Sequence, residues 1–219
     1  MSLNRQHSFW GSLSPLGGLT GAGLLIMASA RLSWAIVVTG SLFWVYGLTA
    51  FSYCFLLSET GKKISPVKGR GAIYTCLSAL FGAVYLLLLW LLSPLAALEN
   101  FLLLMLVPLF CAQTGFAEQP KSLHEKSTGD IFESVSDAVS QAASLAVLLI
   151  VFSIIREPLA YCSLSFPGSS NGMITIMYFR SNSFFPIGIF SSSAGALLLL
   201  GYFVCLYQFG KDKFSQGDY

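Results

Sequence analysis

Charge is what this chain has least of. Only 10% of its 219 residues are Asp, Glu, Lys or Arg, where a soluble domain carries roughly 25%. Hydrophobic residues make up 55% of the chain, and the mean hydropathy is +0.71. So few charges cannot cover a water-facing surface, which excludes a secreted disulfide scaffold, a disordered chain and a conventional cytosolic enzyme. The net charge is +2 and no basic stripe carries interleaved aromatics, so nucleic acid is not an expected partner. There are two histidines, His7 and His124, and both lie outside the apolar stretches. No nucleotide-binding glycine loop, pair of buried carboxylates or Ser/His/Asp set is present. The five cysteines contain no CxxC. The chain is therefore not expected to be a catalyst by itself, and its expected surroundings are a lipid bilayer.

What is there is a series of apolar stretches. A span needs about 20 mostly apolar residues to cross a hydrocarbon core of about 30 Å. Six segments are expected: Leu13–Ala30, Leu32–Leu57, Ala72–Leu92, Leu98–Gly115, Ala138–Ile155 and Ile187–Phe209. The first contains Pro15, Gly17, Gly18, Gly21 and Gly23, and is expected to be a broken or re-entrant helix followed by a helical half, Leu24–Ala30. The fourth is short and interrupted by Pro108; the fifth is expected to stop at Arg156-Glu157. Residues 1–12 lack an apolar core followed by a small-residue cleavage site, so the first segment is expected to stay in the mature protein.

With six crossings, Arg5, Lys62, Lys63, Lys68, Arg70, Lys121, Lys126, Lys211 and Lys213 share one side, while Arg31, Arg156 and Arg180 share the other. Nine cations against three place both termini in the cytoplasm. The order of elements also repeats, a short interrupted segment and then two ordinary spans. Three crossings per half invert the halves relative to each other. The expected fold is thus an all-α integral membrane protein in a single transmembrane domain, 1–219. It comprises six transmembrane segments as two inverted three-helix repeats, 1–93 and 94–219, with the first helix of each half broken. Such an arrangement places functional sites near the membrane midplane.

Individual residues carry further expectations. Cys111 sits at the interrupted part of the fourth segment, where a thiolate could ligate iron or zinc. Spacing alone favours a small, inert packing residue. Arg156-Glu157 reads either as an ion or substrate gate or as an interfacial anchor with the arginine snorkelling to headgroups. Its place at a helix end, with Pro158 following, favours the anchor. Glu118 and Glu99 read as solvated carboxylates at helix ends. Asp130 with Glu133 reads as the cap and third-position carboxylate of the fifth helix. Ala138, Ala142 and Ala146 form a small-residue stripe suited to close helix packing. The stretch Tyr161–Pro186, half apolar around 174–179, is expected to lie against the membrane or a partner.

The run Cys111-Ala112-x-x-Gly115-x-Ala117-Glu118 resembles the Cys-Ala-x-x-Gly-x-Ala-Glu motif of a membrane-subunit family. These are the paired small subunits of Rnf complexes and of sodium-translocating NADH:quinone oxidoreductase (RnfA/RnfE and NqrD/NqrE). Asp137-Ala138 followed by an apolar helix into Ile155-Arg156-Glu157 is similar to the family's Asp-Gly…Ile-Arg-Glu segment, and Pro186-Ile187-Gly188-Ile189-Phe190 to its Pro-x-Gly-x-Phe start. The resemblance runs from about Pro15 to Lys213, and cytoplasmic termini favour the RnfE/NqrD branch. It implies a multi-pass subunit of the cell inner membrane in an ion-translocating electron-transport complex. The implied partners are a homologous membrane subunit and flavin-carrying redox subunits. The implied cofactor is an intramembrane iron–sulfur cluster shared between two such subunits, with Cys111 as this chain's metal ligand. The first-half counterpart cysteine would fall within Thr20-Gly21-Ala22-Gly23, which contains none. Two other classes fit the bare pattern: a small secondary transporter or channel subunit with a midplane site, and a non-catalytic scaffold that keeps the fold without the cluster.

Overall fold

The computed structural model describes residues 15–60, 67–117, 129–168, 173–178 and 187–215. Glu118, Pro186 and, among the cations, Arg5, Lys62, Lys63, Lys121, Lys126 and Arg180 lie outside the described residues. The elements are α1 (Pro15–Ala28), α2 (Leu32–Thr60), α3 (Val67–Leu92), α4 (Pro94–Glu99), α5 (Phe101–Ala117), α6 (Gly129–Tyr161), β1 (Ser163–Pro167), β2 (Met173–Tyr178) and α7 (Ser193–Ser215). A single 3₁₀ turn, Gly188–Ser191, precedes α7. Three helices hold stretches long and apolar enough to cross a membrane: Leu32–Leu56, Gly71–Leu92 and Val135–Tyr161. The structure is thus that of a mainly helical protein with the helix lengths and surface of a membrane protein.

The central element is α2, which packs against α3, α5 and α6. Its Val38, Leu42, Val45 and Tyr46 meet Leu103, Val107 and Phe110 of α5 and Ala142, Leu145 and Leu149 of α6 in one buried cluster. Half of the α2 stretch is buried, whereas only 11% of the α3 stretch is. Leu87, Trp90, Leu91 and Leu92 of α3 are all exposed, a surface that suits lipid and not water. The alanine stripe does the packing expected of it, with Ala142 and Ala146 buried. Gly47 of α2 lies where an added Cβ would touch Val139 of α6.

Helix interruptions fall elsewhere than the sequence suggests. The first segment is an unbroken helix from Pro15 to Ala28. Proline is tolerated at a first helical position. Each internal glycine costs about 1 kcal/mol of helix propensity, but Gly21 lets α1 close on α5: a Cβ there would come 2.8 Å from the Phe110 ring. At 14 residues, α1 is about 21 Å long, short of a full crossing.

In the second half the interruption lies at Ser93 and Asn100, which flank α4, and not at Pro108. Pro94 disfavours a helical conformation at the residue before it, and Ser93 adopts φ −150°, ψ 87°. Pro108 instead sits inside continuous α5, its ring received by Gly82 of α3. The fifth segment does not end at Arg156-Glu157; α6 continues through Pro158 to Tyr161. The last segment starts as the 3₁₀ turn, and α7 begins only at Ser193. There the Ser192 hydroxyl accepts the Gly195 N–H at 3.3 Å, a cap that starts the new helix. Gly129 opens α6, so Asp130 lies in its first turn and not at its cap.

The Tyr161–Pro186 connection, expected to lie against the membrane or a partner, holds strands that its sequence did not announce. It contains an antiparallel hairpin pairing Phe166 with Ile174 and Ser165 with Thr175. Cys162 joins α6 to β1 at φ 52°, the left-handed conformation that closes many helices. The ends of α1, α3 and α6 and the starts of α2, α5 and α7 gather at the hairpin end of the bundle. Contacts recording this include Ser93 Oγ to the Gly168 carbonyl (3.2 Å), Ser165 Oγ to Ser33 Oγ (3.3 Å) and Trp34 Nε1 to Glu99 (3.3 Å).

Candidate functional site

Two polar sites lie inside this apolar bundle, and their construction differs. The first surrounds Cys111. Three residues beyond Pro108 on α5, Cys111 is completely buried among α2, α3 and α5. Its Sγ shares a hydrogen bond with the Tyr74 hydroxyl of α3 at 3.7 Å. Tyr74 meets Tyr53 of α2 edge-on, with centroids 5.3 Å apart. One turn further along α5, the Thr114 hydroxyl bonds the Phe110 carbonyl at 3.0 Å and shares a hydrogen bond with Tyr46 of α2 at 2.5 Å. A chain of phenols and one thiol therefore links the three helices where apolar packing would otherwise be continuous.

The segment expected to hold a first-half ligand is close by. Gly21, inside Thr20-Gly21-Ala22-Gly23, packs against Phe110, the residue before Cys111. The two interrupted-looking segments are thus brought together, but one thiol is all they offer. No disulfide joins any of the five cysteines. No group of three or more His, Cys, Asp or Glu residues able to hold a metal occurs among the described residues. An iron–sulfur cluster shared between two subunits needs thiolates that meet at a common surface. Cys111 is 0% exposed and covered by Tyr74, so the packing of these residues does not fit a shared cluster.

The second site surrounds Arg156 and Glu157 on α6. Arg156 is not a headgroup anchor: it is 1% exposed, and so is Glu157. All of the Arg156 hydrogen bonds go to backbone ends or hydroxyls. Nε donates to Phe190 O at 2.8 Å. Nη1 donates to Ile26 O and to Ser29 Oγ at 3.0 Å. Nη2 donates to Ser191 O at 3.3 Å and to Ser192 O at 3.0 Å. Ile26 lies in the last turn of α1, and Phe190, Ser191 and Ser192 end the 3₁₀ turn. One guanidinium therefore satisfies the carbonyls that two helix ends leave open, and its positive charge faces their negative dipole ends.

Glu157 does the converse. Its Oε2 accepts the Leu32 N–H at 2.7 Å, at the first residue of α2, placing an acceptor at a positive helix end. The adjacent pair on α6 thus pins both sides of the α1–α2 turn. Arg31, in that turn, stacks over Trp34 at 5.7 Å and Tyr161 at 5.2 Å. The sequence signal that could have found this arrangement was the pair itself, since a carboxylate and a guanidinium inside an apolar run need internal partners. Which backbone groups would supply them was not readable. Glu99, read as solvated, is indeed exposed, and it also accepts the Trp34 indole N–H.

No protein-family model matches this chain, and no curated protein shows significant similarity to it.

Proposed function

We propose that the chain is a multi-pass membrane subunit of an Rnf- or Nqr-like ion-translocating electron-transport complex, keeping that family's architecture and acting as scaffold instead of cluster carrier. In this reading it has six transmembrane segments in the cell inner membrane, the first of them short, with both termini cytoplasmic and with inverted halves α1–α3 and α4–α7. One observation carries it: the Thr20–Gly23 segment of α1 lies against the Cys111 segment of α5 through Gly21 and Phe110. An inverted pair of halves would bring its two equivalent segments together in this way. The first segment lacks its thiol and the second has its thiol buried. Both facts suit a subunit that positions neighbours while flavin-carrying partners move the electrons.

A second reading, electron transfer through a cluster ligated by Cys111, rests on the Cys-Ala-x-x-Gly-x-Ala-Glu resemblance. Purification of the intact complex through a tag on this chain separates the two. The scaffold reading expects flavin-bearing subunits to copurify and Cys111→Ser to leave electron transfer unchanged. Loss of iron absorbance and of electron transfer in that variant would establish the cluster reading. A chain that purifies without flavin and transports an ion or solute in vesicles would overturn both in favour of a secondary transporter.

A further inference from the structure

The hairpin of β1 and β2 is built inside out. Facing the bundle is Ser165, 2% exposed and bonded to Ser33 of α2, with half-buried Thr175 as its cross-strand partner. Facing away are Phe166, 44% exposed, and its partner Ile174, 55% exposed. The register then slips: Ser165 pairs with Thr175 but Leu164 with Met177, so Ile176 is an extra, outward residue, 58% exposed. Met177 and Tyr178 continue the exposed apolar surface. A hairpin on a water-facing surface turns its apolar side inward. This one turns its hydroxyls inward, and it is tied down at Gly168 by Ser93 at the end of α3.

The surroundings indicate what covers the outer side. Arg31 is sandwiched by Trp34 and Tyr161 at the same end of the bundle. Trp34 also bonds Glu99, and exposed Trp90 lies within a turn of the end of α3. Tryptophan, tyrosine and arginine gathered at the ends of long apolar helices mark the membrane–water boundary. The hairpin therefore joins a surface whose helical part already suits lipid. Its open strand edges set the depth, because unpaired N–H and C=O groups are not tolerated in hydrocarbon but are satisfied among headgroups and water.

We propose that this hairpin is an interfacial membrane element, laying Phe166, Ile174 and Ile176 onto the headgroup–acyl boundary of the leaflet at this end of the bundle. The proposal rests on the membrane reading of the helices, and the experiment separates the two. The full chain is reconstituted in phosphatidylcholine–phosphatidylglycerol vesicles. They contain a phosphatidylcholine with a photoactivated diazirine high in its acyl chain, and adducts are mapped by mass spectrometry. The expected result is labelling of 173–178 alongside the exposed α3 residues Leu87–Leu92. It should be lost from the hairpin but kept on α3 in an Ile174→Asp, Ile176→Asp variant. Labelled α3 with an unlabelled wild-type hairpin overturns the proposal and leaves the membrane reading intact. Absence of label from both overturns the membrane reading itself. As a check that needs no folding assumption, hydroxyl-radical footprinting of the same wild-type vesicles should leave Ile174 and Met177 protected. Oxidation there shows a water-exposed hairpin, and protection without lipid adducts shows a protein cover; either result overturns the proposal.

Discussion

The hairpin end of the bundle and its centre solve the same problem differently. At the end, two formal charges sit in an apolar interior, and every Arg156 nitrogen finds an acceptor among the open ends of α1 and the 3₁₀ turn. At the centre, an uncharged thiol makes a single long contact to a phenol. The first site commits every Arg156 guanidinium nitrogen, and Oε2 of Glu157, to holding helix ends in register. The second spends little on structure. The lesson is that burial of a charge here signals architecture.

The comparison can be broken most decisively at Arg156. Arg156→Met strands carbonyls of α1 and the 3₁₀ turn without a donor. At about 1–3 kcal/mol for each acceptor left unsatisfied, it should destabilise the protein more than any other change proposed here, read as a large fall in thermal midpoint in detergent. Arg156→Lys should rescue little, because one ammonium cannot reproduce the planar fork. If Arg156→Met unfolds like the wild type, the clamp is not structural.

Next in size is Gly21→Val, which forces a side chain into the Phe110 ring and should cost about 1–3 kcal/mol. Adding Phe110→Leu should recover part of that loss, and simple additivity of the two changes would show that α1 and α5 do not meet there. Cys111→Ala should cost only about 1 kcal/mol, as for removal of one methyl-sized group from a core. A collapse comparable to that of Arg156→Met would mean the thiol is structural in the same sense as the guanidinium. Smallest is Tyr46→Phe, which removes one interhelical hydrogen bond to Thr114 and should lower stability by about 0.6 kcal/mol. An unchanged unfolding midpoint would show that this contact contributes nothing.

Much of the helical plan was legible. The stretches Leu32–Leu57 and Ala72–Leu92 coincide closely with α2 and α3, because unbroken apolar length is a local property. The alanine stripe was legible for the same reason. Interruptions were not, since a proline or glycine lowers helix propensity without saying whether a neighbour compensates. Gly82 accommodates Pro108 and Phe110 fills the space at Gly21, so both helices continue where the sequence suggested breaks. The hairpin was hidden because its strands are only five and six residues long and the irregular register at Ile176 breaks their alternation.

The amino-acid sequence by itself determined the solvent, the long helices and the cysteine inventory, including the thiol missing from Thr20–Gly23. Each follows from composition or from residues adjacent in the chain. Only the tertiary structure decided what Arg156 and Glu157 do. Their partners lie 125 and 130 residues away at Leu32 and Ile26 or 34–36 residues ahead at Phe190 to Ser192. A buried charge is tolerable only where folding delivers such partners, and backbone carbonyls and N–H groups look alike at every position until helices end.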